Sequence, residues 1–262
     1  MNKKSVVEPS GIGGQAVLEG VMMKNKDRYA VAVRKPDGEI EVEEGTCKSL
    51  RDKYFICDLP IIRGVVTFVE SLVLGMKSLT DSSKYFEDEE DDAEEIDEDK
   101  KEKREKVETT FTVILSIILA VGIFMILPFF ISELLKKVVA SEKLLAVIEG
   151  VIRILLYIGY VFAISFVEDI KRVFMYHGAE HKTINCVEHM LPLTVENVKK
   201  QSREHKRCGT SFIFIVLFIS IIFFIFIRVD NMWLKILCRI LLVPVIAGVS
   251  YEFIRFAGKS EN

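Results

Sequence analysis

The chain has 262 residues, half of them hydrophobic and 28% charged, with a net charge of −3. Apolar runs dominate after Thr109 and an acidic run precedes them, and this segregation argues against an ordinary soluble domain. The absence of a basic patch interleaved with aromatic residues argues against a nucleic-acid partner, and five scattered cysteines argue against a disulfide framework.

Residues 1–58 are predicted to form a small β-containing part. Residues 29–33 alternate between alanine and larger side chains, and residues 39–43 alternate between glutamate and apolar side chains, which is typical of strands. The run Lys35-Pro36-Asp37-Gly38 between them indicates a turn, because proline presets φ and glycine allows positive φ. We therefore expect a β-hairpin. It follows a glycine-rich stretch, residues 11–23, in which Gln15 and Glu19 are four apart and could point the same way.

Residues 59–80 are long enough to cross a bilayer, but they contain Arg63 and Glu70. A charge at mid-membrane costs at least ~2.5 kcal/mol. The two charged residues are seven apart and so lie on one helical face. This favours an amphipathic helix that lies at the membrane interface or packs on the protein.

Residues 81–106 are expected to be a disordered linker. Residues 87–99 are acidic at 11 of 13 positions, and a mostly basic run follows them. Like charges at this density repel one another and leave nothing from which a core could form.

Residues 107–262 are predicted to form a membrane domain with four spans, at 111–131, 144–166, 210–227 and 234–253. Glu149 and Arg153 lie four apart in the second span, where they can pair on one face. Arg239, one turn into the fourth, is expected to extend its side chain toward the membrane surface. The predicted fold is therefore mainly α: a polytopic helical membrane protein with about four transmembrane helices and a small N-terminal β-containing part.

Basic residues are concentrated before the first span and between the second and third, and the other two connections are poorer in them. By the positive-inside rule, the N-terminal part, the loop 167–209 and the C-terminus face the cytosol. The expected location is a multi-pass protein in the cell membrane, with membrane lipid as one partner.

All four histidines lie in the cytosolic loop 167–209. His177 and His181 are one helical turn apart, and a helix that continues to about residue 189 would bring Glu188 onto the same stripe. Two histidines and a carboxylate are a common catalytic zinc set. The pattern His-x-x-Glu-His also offers Glu180 as a base for a metal-bound water, although adjacent helical residues diverge by ~100°.

Two further potential ligands, His205 and Cys208, are three apart just before the third span. The pairs Cys186-x2-His189 and His205-x2-Cys208 would alternatively suit a closed structural zinc site, which implies architecture rather than catalysis. Arg203 and Arg207 could instead bind an anionic group such as a lipid phosphate. A third reading makes all four histidines plain polar residues at a wet interface.

Four segments, at residues 13–23, 176–184, 193–198 and 205–211, resemble those of the YqhQ-like family of bacterial integral membrane proteins. The resemblance covers nearly the whole chain, and it implies a membrane fold and a metal-dependent enzyme without an established reaction or substrate. The family pattern includes the positions of six residues and requires no histidine at position 189, which weakens the four-ligand zinc reading. The six are His177, Glu180, His181, Glu188, His205 and Cys208.

We therefore expect an integral membrane metal-dependent enzyme, a hydrolase with its site at the cytosolic membrane face. His177, His181 and one of His205 or Glu188 would bind a divalent ion, zinc, with Cys208 as a further ligand. Glu180 would act as the base, and Gln15, Glu19 and Arg207 would form a wall of the site. The substrate would be a lipid head group or a peptide, and a homo-oligomer is compatible with the sequence. The alternatives are a non-catalytic scaffold or regulator with a structural metal site, and an ion transporter.

Overall fold

The computed structural model describes residues 10–86, 98–205, 208–227 and 229–257. It is mainly helical, with one small antiparallel sheet near the N-terminus. Two compact units emerge. Unit 1 comprises the described residues within Met1–Phe86, Phe162–Val216 and Pro244–Asn262, and unit 2 those within Glu87–Val161 and Leu217–Val243.

The sheet is an antiparallel meander in the strand order β1-β2-β3-β4. The predicted hairpin is confirmed, because Arg34 of β3 pairs with Ile40 of β4 across the expected turn. Gly38 adopts a φ of 88°, and its N–H donates to the Lys35 carbonyl at 2.9 Å. The strands are β1 (Gly13–Val17), β2 (Gly20–Asn25), β3 (Arg28–Arg34) and β4 (Ile40–Thr46).

One face of this sheet is covered by helix α2 (Ile62–Ser83), which follows a short helix α1 (Leu50–Lys53). Leu74 of α2 joins a buried cluster with four sheet residues, Val17, Met22, Val31 and Val33. Burying each of these side chains is worth about 1.5–3 kcal/mol relative to exposure. The sheet, too small for a core of its own, obtains one from α2.

The two charged residues of α2 are paired. Arg63 donates from Nε to Glu252 Oε1 at 2.6 Å, and Glu70 accepts from the Leu50 amide at 2.7 Å. Close to the first pair, a Cβ added to Gly248 would lie 2.5 Å from the Ile61 carbonyl oxygen. Helix α2 therefore packs against the last helix through a glycine and an ion pair.

The described ends of the segment 81–106 are helical, in contrast to the expected disorder. Helix α2 continues to Ser83 with a 3-10 turn at Lys84–Phe86, and helix α3 (Glu98–Val121) begins inside the charged run. Arg104 and Glu108 form an i,i+4 ion pair at 2.9 Å, which supports such a helix. Residues 87–97 lie outside the described residues.

Three helical stretches are long and apolar enough to cross a membrane, by length and composition, and they are Val107–Leu135, Glu142–Ile164 and Met232–Ala257. The third predicted span, 210–227, corresponds to the shorter helix Gly209–Ile225. Its 17 residues rise about 26 Å, short of a typical ~30 Å hydrocarbon core. Length alone therefore gives three candidate spans in the described chain, where about four were expected.

The first candidate span contains a π-helical turn, Gly122–Ile126, between α3 and α4 (Leu127–Leu135). Pro128 follows the turn and lacks the N–H that would bind the carbonyl four residues earlier, at Phe124. Arg153 Nε donates to that carbonyl at 2.7 Å instead. An arginine of the second candidate span thus replaces the hydrogen bond that the proline removes.

The remaining helices are α5 (Glu142–Ile164), α6 (Glu168–Glu188), α7 (Val195–Lys200), α8 (Gly209–Ile225) and α9 (Met232–Ala257). The expected pairing of Glu149 with Arg153 is confirmed at 2.8 Å. The expectation for Arg239 was wrong, because its side chain is 3% exposed and donates to Glu149. A buried carboxylate within reach attracts the guanidinium more strongly than the distant surface.

Candidate metal centre

Helix α6 carries the histidine motif. It is separate from the preceding helix, because α5 ends at Ile164 and Val167 is extended, with ψ of 125°. The Ser165 hydroxyl donates to the Phe162 carbonyl at 2.6 Å, which satisfies an acceptor at the helix end. The expected helix up to about residue 189 is confirmed, and His189 caps it.

The chain after α6 folds back along the same helix. Thr194 caps α7, since its hydroxyl accepts from the Asn197 backbone amide at 3.3 Å. The Asn185 side-chain amide donates to the carbonyls of Ser202 and Glu204, both at 2.9 Å. These hydrogen bonds hold the segment that follows α7 against α6, so that Cys208 lies beside α6.

Three side chains converge at this point, and we call them the His177–His181–Cys208 cluster. One potential ligand atom from each lies within 4.8 Å of the others. His177 Nε2 is 3.4 Å from Cys208 Sγ, and the rings of His177 and His181 are 4.3 Å apart between centroids. Within the described residues, no other set of three or more His, Cys, Asp or Glu side chains meets this condition.

The two imidazoles are held by their Nδ1 atoms. His177 Nδ1 lies 2.9 Å from Glu180 Oε2, and His181 Nδ1 lies 2.6 Å from the Arg203 carbonyl oxygen. Both partners are acceptors, so each Nδ1 carries a proton, and Nε2 is the nitrogen that would bind a metal ion after losing any proton of its own. Histidines that bind metal ions usually have such an orienting acceptor.

Hydrogen bonds within the cluster shift the pKa values of His177 and Cys208 in opposite directions. Hydrogen bonds to Cys208 and then Glu180 raise the pKa of His177 to about 10. Burial opposes ionisation of Cys208, but hydrogen bonds from His177, the Thr210 hydroxyl and the amides of Thr210 and Ser211 lower its pKa to about 6. Those amides are the first N–H groups of α8, where the helix dipole favours a negative charge. At neutral pH the sulfur is therefore a thiolate.

Glu180 is 3% exposed and contacts the first strand of the sheet. A Cβ added to Gly14 would lie 2.7 Å from Glu180 Oε1, so only glycine leaves room for this carboxylate. This gives the glycine-rich stretch a role: it allows α6 to pack against β1. The bond to His177 makes Glu180 an orienting group, whereas the sequence pattern had suggested a base.

Two of the expected wall residues lie elsewhere. The Gln15 amide packs on Gly75 of α2, where a Cβ would lie 2.1 Å from its oxygen. Glu19 sits in the β1–β2 turn and binds Arg172 and the Tyr176 hydroxyl. The hydrogen bond from Arg172 lowers the pKa of Glu19. Gly14 faces α6, and strand alternation turns the next side chain toward α2. Arg207, the third expected wall residue, lies outside the described residues.

Two further expected ligands form a neighbouring pair. Glu188 accepts from the amide and hydroxyl of Ser10, both at 3.0 Å, and its other oxygen is 3.3 Å from His205 Nε2. The His205 ring lies 5.8 Å from that of His181. Glu188 does lie on the same side of α6, as the helical spacing predicts. However, one of its carboxylate oxygens accepts hydrogen bonds from Ser10, a partner that no feature of the sequence indicated.

The alternative four-ligand site is not assembled in the described structure. Cys186 Sγ is buried and lies 3.8 Å from the Leu191 carbonyl oxygen, and His189 Nδ1 lies 2.7 Å from the Asn185 carbonyl oxygen. These two residues shape the end of α6, and Cys208 joins His177 and His181 instead.

The fold and this cluster define a class: a mainly helical protein with helices suited to crossing a membrane, a small antiparallel sheet and a buried His/Cys cluster. The chain belongs to the family described as "Protein of unknown function (DUF1385)", whose model matches residues 59–262. It is 36% identical to the "Uncharacterized protein YqhQ" of Bacillus subtilis (strain 168) over 262 residues, 99% of this chain and 82% of that protein. The resemblance to YqhQ-like proteins is thereby confirmed. No solved structure matches the chain.

Proposed function

We propose that this protein is an integral membrane metal-dependent hydrolase whose zinc ion is bound by His177, His181 and Cys208 at the cytosolic membrane face. The observation that supports this most directly is the approach of three ligand atoms to within 4.8 Å of one another. Two imidazole nitrogens and a thiolate are donors that zinc prefers. Three protein ligands, rather than four, are typical of catalytic zinc sites. Zinc bound there would supply Lewis acidity toward a water molecule or a substrate carbonyl or phosphoryl oxygen.

The surrounding residues have distinct roles in this proposal. Glu180 and the Arg203 carbonyl orient the two imidazoles, as described above. The His205–Glu188 pair lies next to His181 and is buried, with side chains 5% and 7% exposed. We assign to this pair the proton transfer first expected of Glu180, because the His205 imidazole and the Glu188 carboxylate can pass a proton between them beside His181, whereas Glu180 orients His177.

The proposed topology has four crossings. Three crossings would place the N-terminal part and the end of α9 on opposite membrane faces, but Arg63 binds Glu252. Two crossings separate the sheet from α6, and Gly14 contacts Glu180. We therefore propose that α8 also crosses, and its 17 residues are near the lower limit for a span. The excess of basic residues supports a cytosolic location for the sheet, the loop 167–209 and the C-terminus.

The substrate class follows from this location. A site on α6, near the start of a membrane helix and on the side of the basic loops, would meet a lipid head group or a peptide at the cytosolic surface. Helix α2 presents exposed apolar side chains, among them Val69, Leu72 and Val73, at 50%, 53% and 66% exposure. We propose that this face lies in the membrane interface.

Metal analysis of the purified full-length protein tests the proposal. We expect about one zinc ion per chain, lost in a His177→Ala, His181→Ala double variant and in Cys208→Ala. His189→Ala is the matched control and should keep the metal, because His189 caps α6 outside the cluster. Wild-type protein without stoichiometric metal, prepared free of chelators, would contradict the proposal. Retention of metal in the double variant would point to a structural site elsewhere.

One observation favours a second candidate, a cysteine hydrolase. His177 contacts both Glu180 and Cys208, which gives the order carboxylate, imidazole, thiol of a nucleophilic triad. The two candidates use the same atoms and exclude each other. Alkylation of Cys208 distinguishes them: a zinc ligand is protected until a chelator is added, whereas a triad thiolate reacts equally with or without the chelator.

A further inference from the structure

Unit 2 contains a cavity that has no part in the metal chemistry proposed for unit 1. Its volume is about 300 Å³, and it lies where α4 and α8 end and where α5 and α9 begin. Its lining is amphipathic: the rings of Phe129 and Phe224 face it together with Glu149, Arg239 and Lys235. A mixed apolar and charged lining is typical of a ligand pocket.

The charges behind this cavity do not balance. Glu149 Oε1 accepts from both Arg153 and Arg239, and all three side chains are at most 6% exposed. Arg153 has two further acceptors, the Phe124 carbonyl at 2.7 Å and the Ser220 hydroxyl at 3.0 Å. One carboxylate thus faces two guanidiniums in a poorly solvated place, where an uncompensated charge is costly.

Arg239 is the group with hydrogen-bonding capacity left. Its Nε is buried and has no hydrogen-bond partner among the described residues. Its guanidinium lies between two aromatic rings, 4.7 Å from the centroid of Phe129 and 4.9 Å from that of Phe224. These rings flank the guanidinium where it lines the cavity. Because Nη1 binds Glu149 and Nε is covered, the donor left for an acceptor in the cavity is Nη2, which has no hydrogen-bond partner among the described residues.

The rest of the lining extends the positive charge. Four basic and three acidic side chains line the cavity, and of these Lys136 is already paired with Glu133. Glu149 is a carboxylate, but the two arginines neutralise it. The group most complementary to this cavity is therefore an anion with several acceptor oxygens that Arg239 and Lys235 can bind together.

We propose that the cavity binds one phosphate group between Arg239 and Lys235. The same chemistry is offered by a phospholipid head group and by free inorganic phosphate. If the proposed membrane placement holds, the ends of these helices lie at head-group depth on the non-cytosolic face, within reach of the lipid phosphates of that leaflet. The phosphate site itself depends on unit 2 alone, so it stands or falls separately from the metal centre.

The test uses the full-length protein, purified in phosphate-free buffer and a non-ionic detergent. Calorimetric titration with inorganic phosphate, with short-chain phosphatidylglycerol and with short-chain phosphatidylcholine should show saturable binding of one molecule per chain for at least one of them. Binding of inorganic phosphate identifies a soluble anion, and binding of the lipids alone identifies a head-group site. Absence of saturable binding in all three titrations would overturn the proposal.

Variants assign the binding to this cavity. Arg239→Gln should abolish saturable binding, and Lys235→Gln should weaken it at least about tenfold, because a charge-assisted hydrogen bond is lost. Lys137→Gln is the matched control, an exposed lysine beside the cavity residue Lys136 that does not line the cavity itself. If Arg239→Gln fails to fold, the effect of Lys235→Gln on binding decides whether the phosphate occupies this cavity. If Lys235→Gln and Lys137→Gln weaken phosphate binding equally, the anion is attracted only by the general positive charge of the protein, and the proposed site is rejected. The zinc content of each variant shows independently whether the metal centre is intact.

Discussion

Unit 1 and unit 2 both bury ionisable side chains, but they assemble them differently. In unit 1, His177 and His181 lie on α6, and Cys208 reaches them through a loop that folds back over the helix. In unit 2, Glu149 and Arg153 are one turn apart on α5, and Arg239 is added from α9.

The two units differ in whether their buried ionisable groups can change charge. The unit 1 cluster is made of imidazole and thiol side chains, which bind metal ions in their deprotonated forms, so its charge can adapt to a bound ion. The arginines of unit 2 stay charged, so their network requires a permanent counter-charge. We therefore expect damage to unit 2 to affect folding first, and damage to unit 1 to affect metal binding first.

The largest effect is expected for Glu149→Gln. The change leaves two buried guanidiniums without a counter-charge, which should destabilise the protein by about 3–5 kcal/mol. Reversible unfolding in detergent, followed by helix content, measures this loss. The matched control is Glu133→Gln, which breaks a much more exposed ion pair with Lys136 and should cost about 0–1 kcal/mol. Comparable losses in the two variants would contradict a network of structural importance.

Gly14→Ala should act on the metal centre without a large effect on the fold. The new methyl group would displace the Glu180 carboxylate and loosen its hold on His177. Loss of an orienting partner typically lowers metal affinity by about 10–100-fold. Competition with a zinc chelator measures the affinity, and Gly13→Ala is the matched control, because nothing lies within 4 Å of a Cβ there. Unchanged affinity in Gly14→Ala would remove Glu180 from the site.

The pH dependence of Cys208 alkylation tests whether hydrogen bonds in the cluster lower the pKa of this thiol. The folded thiol has a pKa of about 6, below its ordinary value, so the reactive thiolate is present above that pH and is lost as the pH falls through it. In a chelator-treated variant with Cys208 as the sole cysteine, the iodoacetamide rate should therefore rise through pH 6 and then level off. Adding His177→Ala should move the midpoint upward and slow the reaction at pH 7 by about tenfold, since a hydrogen bond to the thiolate is lost. An unmoved midpoint would mean that His177 does not stabilise the thiolate.

The smallest effect is expected for Asn185→Ala. The variant loses two hydrogen bonds that hold the returning loop, to Ser202 and Glu204. Because the side chain is partly solvated, we expect a loss of about 1 kcal/mol in the stability of the loop and a several-fold lower zinc affinity. Hydrogen exchange of residues 201–205 reports the loop, and Asn197→Ala, which removes one bond to Pro192, is the control. Protection that stays the same in Asn185→Ala would show that other contacts hold the loop.

Local pattern predicted much of this protein. Three predicted features follow from spacing within a few residues, and the structure contains each of them: the turn at Gly38, the pairing of Glu149 with Arg153, and the helix carrying His177 and His181. Such features depend on strand and helix periods and on backbone preferences, which act within about one turn.

Long-range features were predicted less well. The expected contribution of Gln15 and Glu19 to the site was not found, and Glu180 orients an imidazole where a base was expected. The sequence alone could not show which contacts these residues make, because a strand residue can face either of two helices until both helices are packed against the sheet.

The amino-acid sequence by itself determined the hairpin turn, the apolar helices, the segregation of apolar and charged stretches and the presence in one loop of several side chains of types that can bind metal. Only the tertiary structure decided which of these side chains meet: Cys208 rather than Glu188 beside the two histidines, and Arg239 in the unit 2 interior rather than at its surface. The physical reason is that propensity and periodicity are local, whereas a binding site depends on contacts between residues that are far apart in the chain.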